Sequence, residues 1–252
     1  MRLRLSSPSC ARARARACVC VCVWCVLPAL TRRRDEEEEV RADAFVGAID
    51  LFPAIAQQQQ QQLVSEFKNI ILSCSEDPHC SPAARAYNSC IVKHLGPLYV
   101  TLGRALHAEE ADCSFFLSSV KRFSCEFGPE VRALVAFNMP AFYTAFGPSK
   151  NMHLLGSLQR LLFDAEASVR AAAAKTLGVI SGMMSVEQRQ GVFADAFLKL
   201  FEDADEATLM AALASFQQAG PHLSGILPSL TARSISNALV GLISSKVSQL
   251  WG

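Results

Sequence analysis

The chain has 252 residues with 24 basic and 23 acidic side chains, so its formal net charge is only +1. A charge this close to zero gives no general attraction to nucleic acid or to an acidic membrane surface. Five of the ten cysteines fall in a simple-sequence tract before residue 26, and the other five are an odd number, scattered along the chain. That distribution is typical of reduced cysteines inside cells, so we expect a cytoplasmic or nuclear protein.

Residues 1–34 are predicted to be a low-complexity extension, disordered or spurious, that lies outside the fold. Residues 11–25 read ARARARACVCVCVWC, an alternation that simple repetitive DNA encodes. A secretory leader is the alternative, because arginines precede the apolar stretch Ala17–Leu30. That stretch has the length of a leader core and is too short to span a membrane, but no good small-residue cleavage site follows it.

A valine-arginine pair recurs along the rest of the chain and defines its organisation. It appears as Val40-Arg41, Val131-Arg132 and Val169-Arg170, each followed by an apolar helical run. Degenerate copies place Tyr87 and Thr208 at the valine position, which gives separations of 47, 44, 38 and 39 residues. Helical repeats of about 40–47 residues belong to the HEAT and armadillo class. We therefore predict an all-α solenoid of about five units over residues 35–252.

Each unit is predicted to consist of helix A, a short acidic turn and helix B, which carries the valine-arginine pair. The apolar residues of the helix A segments follow one-face helical spacing. Glycines stand where helix B is expected to end, since glycine readily adopts the left-handed C-cap conformation. The helix A segments are Leu63–Ser73, Cys113–Ser124, Met152–Phe163 and Val192–Glu202, and the glycines are Gly147, Gly182 and Gly220.

The acidic turns and the arginines are predicted to interact. Asp164, Asp203 and Asp205 stand where a helix uses an acidic residue as its N-cap or in its first turn. We expect the arginine of each valine-arginine pair to bridge to acidic groups in the turn of an adjacent unit. Structural bridging is favoured over a direct role of the arginine in ligand binding.

Two further segments are read from their composition. Gln57–Gln62 is a run of six glutamines, which a surface loop or a helix extension tolerates. Ser234–Leu250 has one apolar stripe and predicts a last amphipathic helix.

Nothing in the chain predicts an enzyme, a metal site or a cofactor. The only cluster worth testing as a metal site is Cys74, His79, Cys80, Cys90 and His94, and its spacing lacks the tight paired chelates of zinc modules. Phosphate-binding, nucleophile-elbow, dinucleotide and zinc-protease motifs do not occur. The aromatic residues at helical spacing are predicted to be core rather than a base-stacking platform. They are Phe115, Phe116, Phe137, Phe142, Tyr143 and Phe146.

The pattern Asp/Glu-x-x-Val-Arg-x-x-Ala, as in residues 166–173, resembles the helix B signature of HEAT repeats. Residues 35–220 resemble the scaffold and regulatory subunits of phosphatase 2A-like enzymes. Segments 38–55 and 129–147 are most similar to the regulatory subunit 1 family of protein phosphatase 4. The resemblance implies a non-catalytic subunit that binds a serine/threonine phosphatase catalytic subunit, its substrates, or both.

In such scaffolds the catalytic subunit docks along the turns between helix A and helix B. The partner-binding residues implied here are Phe127, Gly128, Pro129, Asp164, Ala165, Glu166, Asp203, Ala204, Asp205 and Glu206. Importin-β-like and microtubule-binding HEAT proteins share the valine-arginine signature, so a module for transport cargo or microtubules is the alternative. A tubulin-binding module is expected to have basic and aromatic turns, whereas these turns are acidic, which favours the phosphatase reading.

Overall fold

A computed structural model describes residues 38–55, 57–74, 82–107, 109–125, 127–189, 193–223, 236–237 and 240–241. Every regular element within these ranges is helical, which confirms the predicted all-α fold of the solenoid class. The proposed extension over residues 1–34 lies outside the described residues. So does the predicted helix Ser234–Leu250, except for four helical positions within it. The chain divides into two compact units, residues 1–116 and 117–252.

The first unit contains two long helices and a helix that is broken in its middle. Its elements are α1 (Glu38–Leu51), α2 (Gln57–Ser73), α3 (Pro82–Lys93), α4 (Leu95–Leu102) and the first part of α5 (Glu110–Phe123). Helix α1 packs against α3 and α4. The buried ring of Phe67 on α2 lies edge-on to Phe45 of α1, with 5.6 Å between centroids, and Lys68 of α2 forms an ion pair with Asp112 of α5.

The glutamine run forms the beginning of α2 and is therefore a helix extension rather than a loop. The amide nitrogen of Gln60 donates a hydrogen bond of 3.0 Å to the carbonyl oxygen of Phe52. This contact ties the run to the short 3-10 turn Phe52–Ala54 that follows α1.

The break between α3 and α4 falls at His94 and was not predicted. Pro97 lies three residues later and explains it. Proline has no N–H to donate to the carbonyl of residue 93, and its ring clashes with that carbonyl in a regular helix. The backbone at His94 accordingly leaves helical values, with φ −100° and ψ 5°.

The second unit alternates helix A and helix B as predicted. It contains the rest of α5, then α6 (Pro129–Phe146), α7 (Asn151–Leu162), α8 (Ala167–Ser181), α9 (Val186–Gln188), α10 (Ala194–Leu200) and α11 (Glu206–Leu223). Helices α6, α8 and α11 are the B helices, and each packs against the next. The A helices α7 and α10 pack against each other and against the B layer.

All four predicted A segments fall on helices, namely α2, α5, α7 and α10. Helix α10, the last of these four, begins at Ala194. Its predicted first residue, Val192, lies outside the described residues.

The predicted helix ends are confirmed at Gly147 and Gly182, although only Gly147 has a positive φ, and the prediction fails at Gly220. Gly147 ends α6 with φ +70°, and its N–H donates to the carbonyl of Tyr143. Gly182 follows the end of α8 but keeps right-handed helical values. The prediction for Gly220 was wrong, because α11 continues to Leu223. The next residue, Pro221, lies inside this helix, where its fixed φ is compatible with helical backbone.

Gly103 was not among the predicted helix ends, yet it repeats the cap of Gly147. Its φ is +44°, and its N–H donates to the carbonyl of Tyr99. The sequence alignment of residues 95–103 with 139–147 pairs these two glycines and these two tyrosines. The shared cap geometry supports that alignment of the repeats.

Candidate protein-interaction surface

Arg132 of α6 binds the turn of the following repeat with both arms of its guanidinium group. Its Nε donates to Asp164 Oδ2 and its Nη2 donates to Asp164 Oδ1, both at 2.7 Å. Its remaining nitrogen, Nη1, donates to the carbonyl of Phe127 in its own turn. The Asp164 side chain is only 7% exposed, and its Oδ1 also accepts the N–H of Glu166. Such bidentate, charge-assisted pairs are strong and geometrically specific.

Arg170 of α8 repeats this arrangement one unit further along. Its Nε and Nη2 donate to the two carboxylate oxygens of Asp203 at 2.6 and 2.9 Å. Its Nη1 donates to the carbonyls of Asp164 and Ala165 in its own turn. Asp203 Oδ1 also accepts the N–H of Asp205. The pairs Arg132–Asp164 and Arg170–Asp203, called here the arginine ladder, confirm the predicted bridging for two of the three valine-arginine pairs, and the side chain of Arg41 lies outside the described part.

The ladder shifts the ionisation of its members. The hydrogen bonds from Arg170 lower the pKa of Asp203, outweighing the opposite effect of burial. Burial by itself would raise the pKa of Asp164, but the hydrogen bonds from Arg132 and from the N–H of Glu166 lower it below the ordinary value. The pKa of Arg170 is raised by its hydrogen bonds to Asp203. Both carboxylates are therefore held in the charged form.

The arginine position of the next B helix is occupied by Leu209, which is buried. The neighbouring Thr208 instead completes an N-cap, since its N–H donates to Asp205 Oδ2 at 2.8 Å. The N-cap role predicted for Asp205 is confirmed. Asp164 and Asp203 lie ahead of the helix start and close the turn through the N–H two residues later.

The predicted partner-binding residues divide into those committed to the fold and those open to solvent. The buried Phe127 packs against Phe123 with tilted rings at a centroid distance of 4.7 Å. Asp164 and Asp203 belong to the ladder, and Asp205 is the N-cap. Gly128 and Pro129 begin α6 and, like Glu206, are half-buried. The residues of the set that are exposed are Ala165, Glu166 and Ala204.

A second row of cations was not anticipated from the sequence. Arg122, Arg160 and Lys199 occupy the same position near the end of successive A helices, 38 and 39 residues apart. Arg160 Nη1 donates to the sulfur of Cys125 at 2.9 Å, and Lys199 Nζ lies 4.4 Å from the centroid of the Phe163 ring. Arg160 and Lys199 therefore each contact the end of the preceding A helix, whereas Arg122 lies over the rings of Phe123 and Phe127. The spacing, which matches that of the valine-arginine pairs, is the signal that could have revealed it.

The B helices also present a stripe of exposed and half-buried residues with few charges. Leu134, Phe137 and Ala141 of α6 share one face, and the equivalent residues Ala172, Lys175 and Val179 of α8 lie 38 positions later. These six residues are called here the helix-B stripe. Phe137 is 69% and Val179 is 39% exposed, and Lys175 is exposed as well. Charged residues are depleted, and aromatic residues enriched, at the cores of protein interfaces.

The aromatic residues are otherwise core, as predicted, with one correction. Phe116, Phe142, Tyr143 and Phe146 are buried and Phe115 is half-buried. The prediction for Phe137 was wrong, because its position on α6 faces away from both α7 and α8 neighbours and into solvent.

Cys90 of α3 lies close to His94, which follows that helix, with 3.8 Å between the thiol sulfur and His94 Nδ1. Burial and the nearby Asp43 raise the pKa of the Cys90 thiol, which disfavours the reactive thiolate. Within the described ranges, no three His, Cys, Asp or Glu residues are grouped to hold a metal ion. His79 and Cys80 lie outside those ranges.

The described residues form an all-α array of packed helices, and in the second unit two ion pairs of nearly equal sequence separation join successive turns. Residues 154–183, which cover most of α7 and all of α8, match the family model of the HEAT repeat. This segment is thus a HEAT repeat, a fold that serves as a protein-interaction scaffold. A search of curated proteins found no match to the chain. No helix in the described part is long and apolar enough to cross a membrane.

Proposed function

We propose that this chain is a non-catalytic scaffold or regulatory subunit of a phosphatase 2A-like serine/threonine phosphatase, with phosphatase 4 favoured by the resemblance. It binds the catalytic subunit, its substrates, or both. The observation that carries the proposal is the alignment of successive repeat turns by the arginine ladder. Two bidentate pairs fix adjacent turns relative to each other, so their exposed residues form a preorganised surface rather than separate mobile loops.

The contact residues on this surface are Ala165, Glu166 and Ala204. Ala165 and Ala204 occupy the same position in successive turns, 39 residues apart, and all three residues are exposed. Alanine leaves the backbone of each turn accessible, and Glu166 supplies a negative charge at the rim. Asp164 and Asp203 act indirectly by holding the turns in place.

The experiment is a direct binding measurement with recombinant phosphatase 2A and phosphatase 4 catalytic subunits. The full chain is compared with a variant carrying Ala165→Arg, Glu166→Arg and Ala204→Arg, none of which removes a ladder side chain. Binding of a catalytic subunit by the unsubstituted chain, weakened at least tenfold in the variant, is the expected result. Glu187→Arg, an exposed charge reversal on α9, is the matched control and is expected to bind normally.

Failure of the unsubstituted chain to bind either catalytic subunit would reject the phosphatase assignment. Binding that the three substitutions leave unchanged would reject the turn surface.

The alternative function, a HEAT module for microtubules or transport cargo, is favoured by one observation. Arg122, Arg160 and Lys199 form a row of cations that lies close to the turns, so the acidity of the turns does not by itself exclude an acidic partner. Tubulin presents such an acidic surface. If the chain co-sediments with microtubules and the variant Arg160→Glu/Lys199→Glu does not, the microtubule-binding function replaces the phosphatase proposal.

A further inference from the structure

We propose that the helix-B stripe binds a protein segment in which apolar side chains flank a single carboxylate, and that this carboxylate pairs with Lys175. The inference rests on the proposed function only in so far as the chain is a protein-binding scaffold. It does not depend on the partner being a phosphatase.

The stripe is mostly apolar and includes two of the exposed large apolar side chains of this unit, Phe137 and Val179. Five of its six residues are apolar, and Phe137 is the most exposed large apolar side chain of the described residues, at 69%. Charged residues such as Arg160, Glu166 and Lys199 lie on the A helices and the turns instead. An exposed apolar surface that charges surround is typical of an interaction site.

The shape of the stripe suits one segment that crosses both helices. The three residues on each helix stand at positions i, i+3 and i+7, so they project from one face. Helices α6 and α8 are direct neighbours, and packed helix axes lie about 8–10 Å apart. Ala141 and Ala172 are small, so they leave room beside Phe137 and Val179 for bulky apolar side chains of a partner.

Lys175 defines the charge of the partner. It is the only charged residue of the stripe, it is exposed, and it forms no ion pair with any described residue. Its complement in an apolar interface is a carboxylate, because an ammonium group buried without a counter-charge is unfavourable. Glu130, exposed one turn before Leu134 on α6, repels an acid at that end of the stripe, so the carboxylate is directed to α8.

A lipid surface fits these observations less well than a protein segment does. Binding to an acidic membrane needs a cluster of several basic residues, whereas the stripe has one lysine. A protein segment satisfies both the apolar majority and the single cation.

The test uses two fluorescein-labelled libraries of short peptides that are identical except for a fixed central residue, Glu in one and Lys in the other. The flanking positions are drawn from Leu, Phe, Ala and Ser. Fluorescence anisotropy is measured with the full chain and with Lys175→Glu. We expect the Glu library to bind about fivefold more tightly to the unsubstituted chain, and Lys175→Glu to reverse that preference.

Two variants make the result specific to the stripe. Phe137→Ser is expected to weaken binding of both libraries, whereas Lys121→Glu, an exposed charge reversal on α5, is expected to leave the preference unchanged. Circular dichroism of each variant establishes that it is folded. Absence of binding, equal binding of the two libraries, or a preference that Lys175→Glu does not alter would overturn the proposal. Loss of phosphatase binding with a retained Lys175-dependent preference would reject only the proposed function.

Discussion

Arg132 and Asp164 are 32 residues apart in the sequence, yet two parallel hydrogen bonds of 2.7 Å join them across consecutive repeats. The same guanidinium binds the carbonyl of Phe127 in its own turn, so one side chain connects two turns. Arg170 and Asp203 repeat the relationship. The valine-arginine signature is thus a device for fixing neighbouring turns, and its energetic contribution can be measured.

Replacing Arg170 by Ala is expected to lower the free energy of unfolding by about 1–3 kcal/mol. The substitution leaves the Asp203 carboxylate, which is 9% exposed, without its counter-charge, and it also removes donors to two turn carbonyls. Urea unfolding of the full chain, followed by circular dichroism, measures the change. Arg160→Ala is the control, since Arg160 is exposed, and a change within about 0.5 kcal/mol is expected. Equal losses in the two variants would contradict the prediction.

The stability difference between the unsubstituted chain and Arg170→Ala is expected to shrink in acid. The folded-state pKa of Asp203 lies below its ordinary value, mainly because of Arg170. The resulting stabilisation is therefore complete above the unfolded-state pKa of about 3.9, and it is lost as pH falls through the lower folded-state pKa. Unfolding curves at about pH 7 and about pH 3 measure the two differences. A difference of the same size at both pH values would show that the ion pair is not its source.

Gly178→Ala is expected to destabilise the second unit by about 1–3 kcal/mol, because α8 and α11 lie too close together for a methyl group. A Cβ at Gly178 would lie 2.8 Å from the carbonyl oxygen of Ser215 and 2.8 Å from Gln218 Cβ. The thermal unfolding midpoint of the variant measures the effect.

Gly156→Ala is the matched control, because Gly156 is also helical but has no atom within 4 Å of its Cβ position. There the substitution is expected to raise stability by about 0.5–1 kcal/mol through helix propensity. If both alanines stabilise the chain, the close approach of α8 and α11 is not rigid.

Tyr99 and Tyr143 occupy equivalent positions, and removal of their hydroxyl groups is expected to have opposite effects. Tyr99 donates a hydrogen bond to the carbonyl of Phe116, so Tyr99→Phe is expected to cost about 0.5–1.5 kcal/mol. The hydroxyl of Tyr143 is buried without a hydrogen-bond partner in the described structure, and burial raises the pKa of this phenol.

Tyr143→Phe is therefore expected to stabilise the chain by about 1 kcal/mol, since it removes an unsatisfied buried polar group. Urea unfolding of the two variants under identical conditions makes the comparison. Destabilisation by both substitutions would mean that Tyr143 has a hydrogen-bond partner in solution.

The fold could be predicted from the sequence because a recognisable residue pair marks the same position in successive repeats. A valine-arginine pair at nearly constant spacing fixed the helix order, and the acidic residues five positions before Val169 and Thr208 indicated where the arginines bind. The break at His94 and the continuation past Gly220 were missed. The break depends on Pro97, whose effect is local to one turn, and the repeat pattern carries no information about the backbone at either position.

The interaction site could be read only in part. An acidic turn looks the same in sequence whether its carboxylates face solvent or an arginine of the preceding repeat. Only the positions of Arg132 and Arg170 show that Asp164 and Asp203 are engaged, which leaves Glu166 as an exposed acid of the predicted set. The exposure of Phe137 was unpredictable for a related reason, since an aromatic residue at helical spacing is usually buried.

The repeat formed by α7 and α8 takes part in the ladder on both sides. This repeat contributes an aspartate that accepts from the arginine before it, and an arginine that binds the aspartate after it. If this repeat were duplicated in tandem, the arginine of the first copy could pair with the aspartate of the second copy. The repeat of α10 and α11 has only the accepting half, because Leu209 replaces the arginine. Internal duplication of this repeat would therefore require no substitution of an arginine or an aspartate to keep the ladder continuous.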